Sequence, residues 1–430
     1  MTDLSAEKRK ALQILTEPTD SRLVSQLNSC VHCGLCAESC MYYLTTNDER
    51  FAPALKVDLL SSIYRRYCTF GGKVFPRLAN ARELDDATTG EMVDLLFGSC
   101  TLCGRCTVHC SIGVDITYLV RTGRRMLASM GRVPATLQST VDAALQTGNN
   151  MAIPADELVS TLSWLQDELR DEVNDPKASI PLNQLGANVL YTLNPREPKF
   201  FPLSISAMAK IFYAANESWT LSTSMYDVTN YAYFSCNLDE ATTIARRLYD
   251  EVRKLGAKRC VLAECGHGSR AFRWEAPNYL QTQFSFDTLT SVELLAEYIR
   301  EGRIRLDKER NREIVTLHDP CNLVREGGII NEQRYVLKHA ATTFIEMTPH
   351  GVDNFCCGGG GGQLSMSEYG DRRMKIAEIK AEQIRRTGAS TVVTPCHNCV
   401  DQLIQINNKF KLGVNIKTLA EVVADAVVLA

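Results

Sequence analysis

Cysteine spacing is the first chemistry legible in this sequence. Cys30, Cys33, Cys36 and Cys40 form a CxxCxxCxxxC run, and Cys100, Cys103, Cys106 and Cys110 repeat it seventy residues later. Three thiolates at that spacing wrap a tight loop around one face of an iron–sulfur cubane, while the fourth, reaching away on the following helix, ligates the other cluster of a two-cluster protein. Cys30, Cys33 and Cys36 are therefore assigned with Cys110 to one cubane, and Cys100, Cys103 and Cys106 with Cys40 to the other. Structural zinc also takes four thiolates but is normally built from separated CxxC pairs. Gly34 and Gly104 follow the second cysteine of each run, where a side chain would crowd a cluster. His32 and His109 lie inside the loops and are expected to face solvent or bond to backbone, because four thiolates already complete each cube.

A second group of cysteines lies in the C-terminal half, as Asp319-Pro320-Cys321, Cys356-Cys357-Gly358 and Cys396-His397-Asn398-Cys399. Five thiols on three loops exceed what one cubane needs. The apolar runs before Cys321 and Cys396 read as strands that end at those cysteines, and open α/β sheets place their ligand crevices at strand C-termini. Cys356 and Cys357 open a five-glycine turn, residues 358–362, that lets backbone approach closely. That turn also satisfies GxGxxG, but no Lys-Ser/Thr follows it and no ribose-binding context supports a nucleotide site. Convergence of the five cysteines on one site is the economical reading.

The elements that position these loops differ between the two halves. Before residue 133 the chain reads as helices and cysteine loops. After about 187, short β-rich runs (189–193, 260–263, 314–317, 391–394 and 414–417) alternate with helical periods at 238–255, 366–386, 397–411 and 419–428. Charge marks the same division: residues 50–82 carry seven basic residues against Asp58 alone, and residues 154–178 carry seven acidic residues against Arg170 and Lys177. The basic run either offsets cluster charge, docks a partner through the interleaved Tyr64, Tyr67, Phe70 and Phe75, or forms a solvated face.

With 430 residues and seventeen cysteines, the chain is too long and has too little of a secretory leader for a disulfide framework. A formal charge of -3 gives no push toward nucleic acid or membrane. No apolar stretch reaches the length of a spanning helix; the best, around 201–215, is short and contains Lys210. A cytoplasmic protein that meets the membrane through a partner is expected.

The third cysteine group resembles the cysteine-rich CCG domain of heterodisulfide reductase and its relatives. With fifty-nine residues between Cys40 and Cys100, the two-cluster region resembles the α-helical ferredoxin domains of succinate dehydrogenase and heterodisulfide reductase, although Met41 and Ser111 stand where bacterial ferredoxins have proline. The resemblance covers about residues 20–130 and 187–430. It implies that Cys321, Cys356, Cys357, Cys396 and Cys399 hold a non-cubane [4Fe–4S] cluster at the active site, giving three [4Fe–4S] clusters in all. The family carries two CCG repeats, and here the first is stripped. Arg196 stands in the place of Cys321, Ser235-Cys236 in the place of Cys356-Cys357, and Cys265-Gly266-His267-Gly268 in the place of Cys396-His397-Asn398-Cys399. One intact repeat behind two cubanes is similar to the DsrK and TmcB type of protein found in membrane redox complexes of sulfur-metabolising anaerobes. Cys68 and Cys260 are read as packed thiols, and Cys236 and Cys265 either as packed thiols or as a redox pair or persulfide site.

The expected architecture is α+β and multidomain: an extension (1–20), an all-helical two-cluster ferredoxin domain (21–133), a helical linker (134–186), a degenerate CCG repeat (187–310) that covers one side of the site, and an intact CCG repeat (311–430). The implied activity passes electrons through the two cubanes to the third cluster, which reduces or forms a heterodisulfide-like S–S bond of a small thiol or a sulfur-carrier protein. The implied partners are a membrane cytochrome b-like subunit or a flavoprotein. The other reading is an electron relay for a glycolate or glycerol-3-phosphate flavin dehydrogenase delivering to quinone. His318 and His397 flank the ligands as proton donors or as hydrogen-bond donors to cluster sulfur. Arg325, Arg334 and Lys338 either bind an acidic substrate or line a solvated helix.

Overall fold

The computed structural model describes residues 5–16 and 21–429, so the expected extension is described only in part. The chain forms two compact units that are not contiguous in sequence. One gathers the described residues of Met1–Ser139 with Ala232–Leu238 and Gly358–Ile379; the other gathers Thr140–Tyr231, Asp239–Cys357 and the described residues of Lys380–Ala430.

The first unit is helical. Its central pair is Pro53–Cys68, begun by a proline at the first helical turn where its missing N–H costs nothing, and Ile116–Ser129, whose N-terminus is capped by the Asp115 carboxylate. Gly123 lets these helices meet, since a Cβ there would lie 2.5 Å from Leu96 and 3.1 Å from Leu60. Ala6–Thr16 lies across Ile116–Ser129, burying Ala11, Leu12, Ile14 and Leu15. Short helices Leu35–Glu38 and Arg105–Val108 follow the two cysteine loops.

The second unit holds two parallel sheets of the same design. β1 (Val189–Tyr191), β2 (Trp219–Thr220), β3 (Arg259–Leu262) and β4 (Asp287–Thr290) stand in the order β2-β1-β3-β4. β5 (Ile314–Leu317), β6 (Thr343–Glu346), β7 (Thr391–Val393) and β8 (Asn415–Lys417) stand in the order β6-β5-β7-β8. The inner strands β1, β3, β5 and β7 are short and largely buried, as strands covered by helices on both faces must be. Registers agree as well: Leu190 pairs with Cys260 and Tyr191 with Val261, while Val315 pairs with Thr391 and Thr316 with Val392. That correspondence makes Arg196 the counterpart of Cys321 and Cys265 the counterpart of Cys396, so the repeat is a property of the fold.

Each repeat also closes on a capping box, Thr290 with Glu293 and Thr418 with Glu421. Three strands fall outside the β-rich runs of the sequence: β2 has two residues, β4 includes Asp287, and β6 is half exposed at an edge. The helical period at 366–386 is broken into Ser367–Tyr369, Gly370–Ile376 and Glu378–Thr387. The apolar stretch near 201–215 forms the helix Pro202–Ala214, packed against Ala155–Val173 and Leu419–Ala426. No helix among the described residues is long and apolar enough to cross a membrane.

The first repeat has lost the space for the fifth thiol as well as the thiol. A Cβ at Gly268, the counterpart of Cys399, would lie 2.6 Å from the Val228 carbonyl oxygen. Gly268→Cys should therefore destabilise the protein by about 1–3 kcal/mol through overpacking, seen as a lowered denaturant midpoint. A midpoint equal to wild type would show that the backbone yields there.

Candidate metal centres

The two cysteine loops of the helical unit take one backbone shape. Each turns left-handed just before its second cysteine, at His32 (φ 56°) and Leu102 (φ 52°), and again just after it, at Gly34 (φ 86°) and Gly104 (φ 75°). A non-glycine residue held left-handed costs about 1–2 kcal/mol, so something other than local preference fixes this shape. A Cβ at Gly34 would meet no protein atom within 4 Å; here the conformation itself calls for glycine. Backbone N–H groups point at sulfur: Leu102 N–H donates to Cys100 Sγ at 3.4 Å, and Val114 N–H to Cys110 Sγ at 3.2 Å.

Cys30, Cys33, Cys36 and Cys110 line one cavity, together with Val31 and Ile112. Cys40, Cys100, Cys103 and Cys106 line another, with Tyr42 and Lys56, and Ile116 is a wall of both. In each cavity a buried thiol is raised by burial and by the sulfurs around it. Burial, and then Cys103, Cys100 and Cys40, push the Cys106 thiol well up; burial, and then Cys30, Cys110 and Cys33, raise Cys36 against an opposing N–H from Ala54. Cys33 is the exposed member and is lowered by the Leu35 N–H and the Ser111 hydroxyl.

Two buried cations serve the second cavity. Lys56 lines it, donates to the Ser99 carbonyl, and draws the Cys40 thiol down against burial. Arg124, fully buried, donates to the carbonyls of Leu96, Phe234, Gly361 and Cys100 at 2.8–2.9 Å and lies over the Phe97 ring. The glycine turn has its reason here. A Cβ at Gly361 would lie 2.6 Å from the Thr101 carbonyl carbon, so this backbone approach is to the Cys100 loop. His32 faces solvent, as the sequence predicts, and pairs there with the Asp58 carboxylate at 2.8 Å.

In the α/β unit, β5 runs through His318 and Asp319 into Cys321, which starts the one-turn helix Cys321–Val324. β7 runs into Cys396, the N-cap of His397–Phe410, with Cys399 one turn along. Cys357 Sγ lies 3.5 Å from Cys399 Sγ. A hydrogen bond from Cys399, together with N–H groups of Gly266, Cys399 and Asn398, holds the Cys396 thiol down to about 7 despite burial, as a helix N-terminus favours a thiolate. Gly266 also fits against Cys321's neighbours, its added Cβ falling 3.5 Å from Pro320 and 3.6 Å from Asn322. All five thiols are buried; Cys357, Cys396 and Cys399 interact directly, Cys356 and Cys357 lie near Lys380, and Cys321 stands at the end of the neighbouring strand.

The chemistry of these sites fits iron–sulfur groups. Each cavity of the helical unit offers four sulfurs and nearby N–H donors. At the crevice, neither ring nitrogen of buried His318 has a hydrogen-bond partner among the described residues, yet one lies within 4.8 Å of the Cys357 and Cys399 sulfurs. Burial and Lys380 push His318 well below its ordinary value, so the ring is neutral and carries one N–H without an acceptor. A buried donor left so costs about 1–3 kcal/mol, and sulfur of a bound group would accept from it.

The degenerate repeat builds the opposite wall. Arg196 donates to Asn398 Oδ1 at 3.2 Å and pairs with Asp401 at 3.0 Å. Cys265 Sγ lies 3.4 Å from His267 Nδ1, which lies 3.3 Å from Asn398, and Cys265 is raised by burial and then by Cys396. Cys265 thus lies beside the crevice cysteine Cys396. His397 faces this wall, bonding Ser204 at 2.9 Å and the Glu264 carbonyl at 3.1 Å, and burial pushes it down to about 4.

Lys380 is the residue the sequence does not reveal. It sits on a helix whose charged pattern reads as solvated, yet it is fully buried and donates to Asn354 Oδ1 at 2.7 Å. Burial pushes its ammonium down to about 7, while Cys357, Asp319 and Cys356 pull upward. The nearby arginines act as braces. Arg325 donates to the carbonyls of Val352 and Asn354, and Arg334 makes a two-point bond to Asp319 at 2.9 Å and another to Glu346 at 2.7 and 3.0 Å.

Comparison with known proteins agrees with this construction. A 4Fe-4S dicluster domain matches residues 26–114, and a cysteine-rich domain, CCG, matches residues 315–404. The chain carries both domains and is similar to iron–sulfur subunits of heterodisulfide reductase-like oxidoreductases. It is 28% identical to an Hdr-like menaquinol oxidoreductase iron-sulfur subunit from Archaeoglobus fulgidus, over 94% of this chain and 80% of that one. It is 25% identical to a polypeptide of the dihydromethanophenazine:CoB–CoM heterodisulfide reductase of Methanosarcina barkeri, over 94% and 95%. It is 24% identical to the EtfAB:quinone oxidoreductase of Syntrophomonas wolfei, over 88% of this chain and 54% of that protein.

The Asp319–Arg334 bond anchors the strand end that carries Cys321. Burial raises the Asp319 carboxyl, but Arg334 and the Gly351 N–H hold it below its ordinary value. Arg334→Leu leaves that carboxylate buried without its cation and should cost about 3–5 kcal/mol in denaturant unfolding. Because the carboxyl is depressed in the fold, the deficit is full above the unfolded value of about 3.9 and narrows as pH falls through the folded value. A deficit independent of pH would mean that packing alone was lost.

Proposed function

We propose that thirteen thiolates hold three [4Fe–4S] clusters: Cys30, Cys33, Cys36 and Cys110 one cubane, Cys100, Cys103, Cys106 and Cys40 another, and Cys321, Cys356, Cys357, Cys396 and Cys399 a non-cubane third. When bound, such groups supply one-electron transfer, and two such transfers reduce one S–S bond. The chain couples electron delivery in the helical unit to cleavage or formation of a heterodisulfide-like bond in the α/β unit, on a small thiol or a sulfur-carrier protein. Reduction consumes two electrons and two protons and releases two thiols.

The observation that carries this reading is the crevice. Its buried thiols exceed the need of a cubane, and an unpartnered His318 N–H and the Lys380 amine face the same sulfurs. His318 is placed to donate a hydrogen bond to sulfur, and Lys380 to hold and release a proton beside Cys356 and Cys357. The exposed Cys33 marks the cubane that meets a redox partner, and Lys56 and Arg124 offset charge at the buried one. The partner is a membrane cytochrome b-like subunit or a flavoprotein, and the chain sits at the cytoplasmic face of a membrane. Similarity to the quinone oxidoreductase favours a second reading, in which the chain relays electrons between a flavoprotein and quinone with no sulfur substrate.

The anaerobically purified complex should hold about twelve irons per chain and show a third EPR signal distinct from the cubanes. It should also reduce a disulfide or trisulfide, and Cys357→Ala should abolish both that turnover and the third signal while the cubane signals persist. A wild-type complex that passes electrons to quinone without any sulfur turnover establishes the relay.

A further inference from the structure

Residues 70–78 carry an apolar surface that the metal centres do not use. Phe70 is 79% exposed, Val74 50%, Phe75 57% and Leu78 89%, four large apolar side chains within nine residues. Soluble proteins scatter such residues singly, and a cluster of this size marks an interaction site. The segment is held firmly. A Cβ at Gly72 would clash with the Arg65 carbonyl oxygen, so the short helix Phe70–Val74 is pressed onto the end of Pro53–Cys68, with Thr69 capping it through the Gly72 N–H. The apolar side chains are therefore presented outward on a fixed backbone.

The charge around them is of one sign. Between Tyr64 and Arg82 there is no Asp or Glu, while Arg65, Arg66, Lys73, Arg77 and Arg82 lie in the same stretch. Arg66 is matched by Glu83 and Arg82 by Glu91, which leaves exposed Lys73 and Arg77 beside the apolar tip with no carboxylate partner among the described residues. Aromatic and aliphatic side chains flanked by lysine and arginine are the composition that seats in the headgroup and acyl boundary of an anionic bilayer. We infer that residues 70–78 form a lipid-contacting face, in which Phe70, Val74, Phe75 and Leu78 enter the boundary of an anionic membrane while Lys73 and Arg77 pair with its phosphate headgroups. It deepens the proposed membrane association, on which it rests, by naming a surface of this chain that touches lipid directly.

The test is sedimentation of the full, cluster-containing chain with vesicles of phosphatidylglycerol and phosphatidylcholine under anaerobic conditions. The wild-type chain should pellet with mixed vesicles, more weakly with pure phosphatidylcholine, and less as salt screens the headgroups. Phe70→Ser with Leu78→Ser should weaken binding at least tenfold, and Lys73→Gln with Arg77→Gln should weaken it and flatten its salt dependence. Leu185→Ser, an exposed apolar residue of the other unit, should have no effect, and all variants should keep the wild-type visible spectrum. A wild-type chain left in the supernatant, or a Phe70/Leu78 variant that binds as tightly, overturns the proposal. If the wild type ignores vesicles but the same variants release it from a native membrane subunit, the face docks a protein and the lipid assignment falls. Sulfur turnover measured on the same preparations separates failure of this inference from failure of the catalytic reading.

Discussion

Thiolates gathered in a buried space oppose one another, and this cost of ionising clustered sulfur is the constraint on which the molecule is organised. Each of Cys36, Cys40 and Cys106 is raised by burial and by the sulfurs around it, and Cys399 is raised by its neighbours Cys357 and Cys396. Protein cations offset only part of that cost, through Lys56 and Arg124 at one cavity and Lys380 at the crevice. These raised thiols keep their protons unless a bound, multiply charged metal group lets them ionise. Left-handed His32 and Leu102, N–H groups aimed at sulfur and the orphaned His318 ring share that explanation.

The two halves of the α/β unit show how a repeat changes role without changing fold. Strand order and register are the same in both, and so is the placing of Cys265 and Cys396 at helix N-caps. The first repeat has exchanged one thiol for Arg196 and closed another position at Gly268 against Val228. What it retains are polar side chains, Arg196, Asn194 and His267, that fasten Asn398 between the cysteines of the second repeat. It supplies rigidity to a thiol pair whose spacing decides what can bind. The chain leaves this unit at Gly358, directly after Cys357, and the glycines that follow close on the Cys100 loop within the helical unit.

Much of this is legible in the amino-acid sequence, for physical reasons that differ by residue. Cysteine loops are legible because ligand spacing is set by the size of what is held, and the inner strands because complete burial leaves them uniformly apolar. The fold class, helical then α/β, follows from those two signals together, and the doubled and degraded repeat from the resemblance to CCG proteins. β2, β4 and β6 are not legible because edge strands are short and mixed in polarity. Lys380 is hidden because a buried lysine looks like a surface one in a helical pattern, and Arg334 because an arginine braced by two carboxylates looks like a free cation. The glycine turn is legible as a close approach, but no local signal names the backbone it approaches, since Gly361 and Thr101 belong to separate motifs far apart in the chain.

Everything depends on which sulfurs share a metal group. Anomalous difference maps at the iron edge, from crystals grown without oxygen, test that directly. Three iron centres are predicted, one within bonding distance of Cys30, Cys33, Cys36 and Cys110, one of Cys40, Cys100, Cys103 and Cys106, and one of Cys321, Cys356, Cys357, Cys396 and Cys399. Iron in the helical unit alone, with the five crevice thiols bare or bridged to one another, would contradict it.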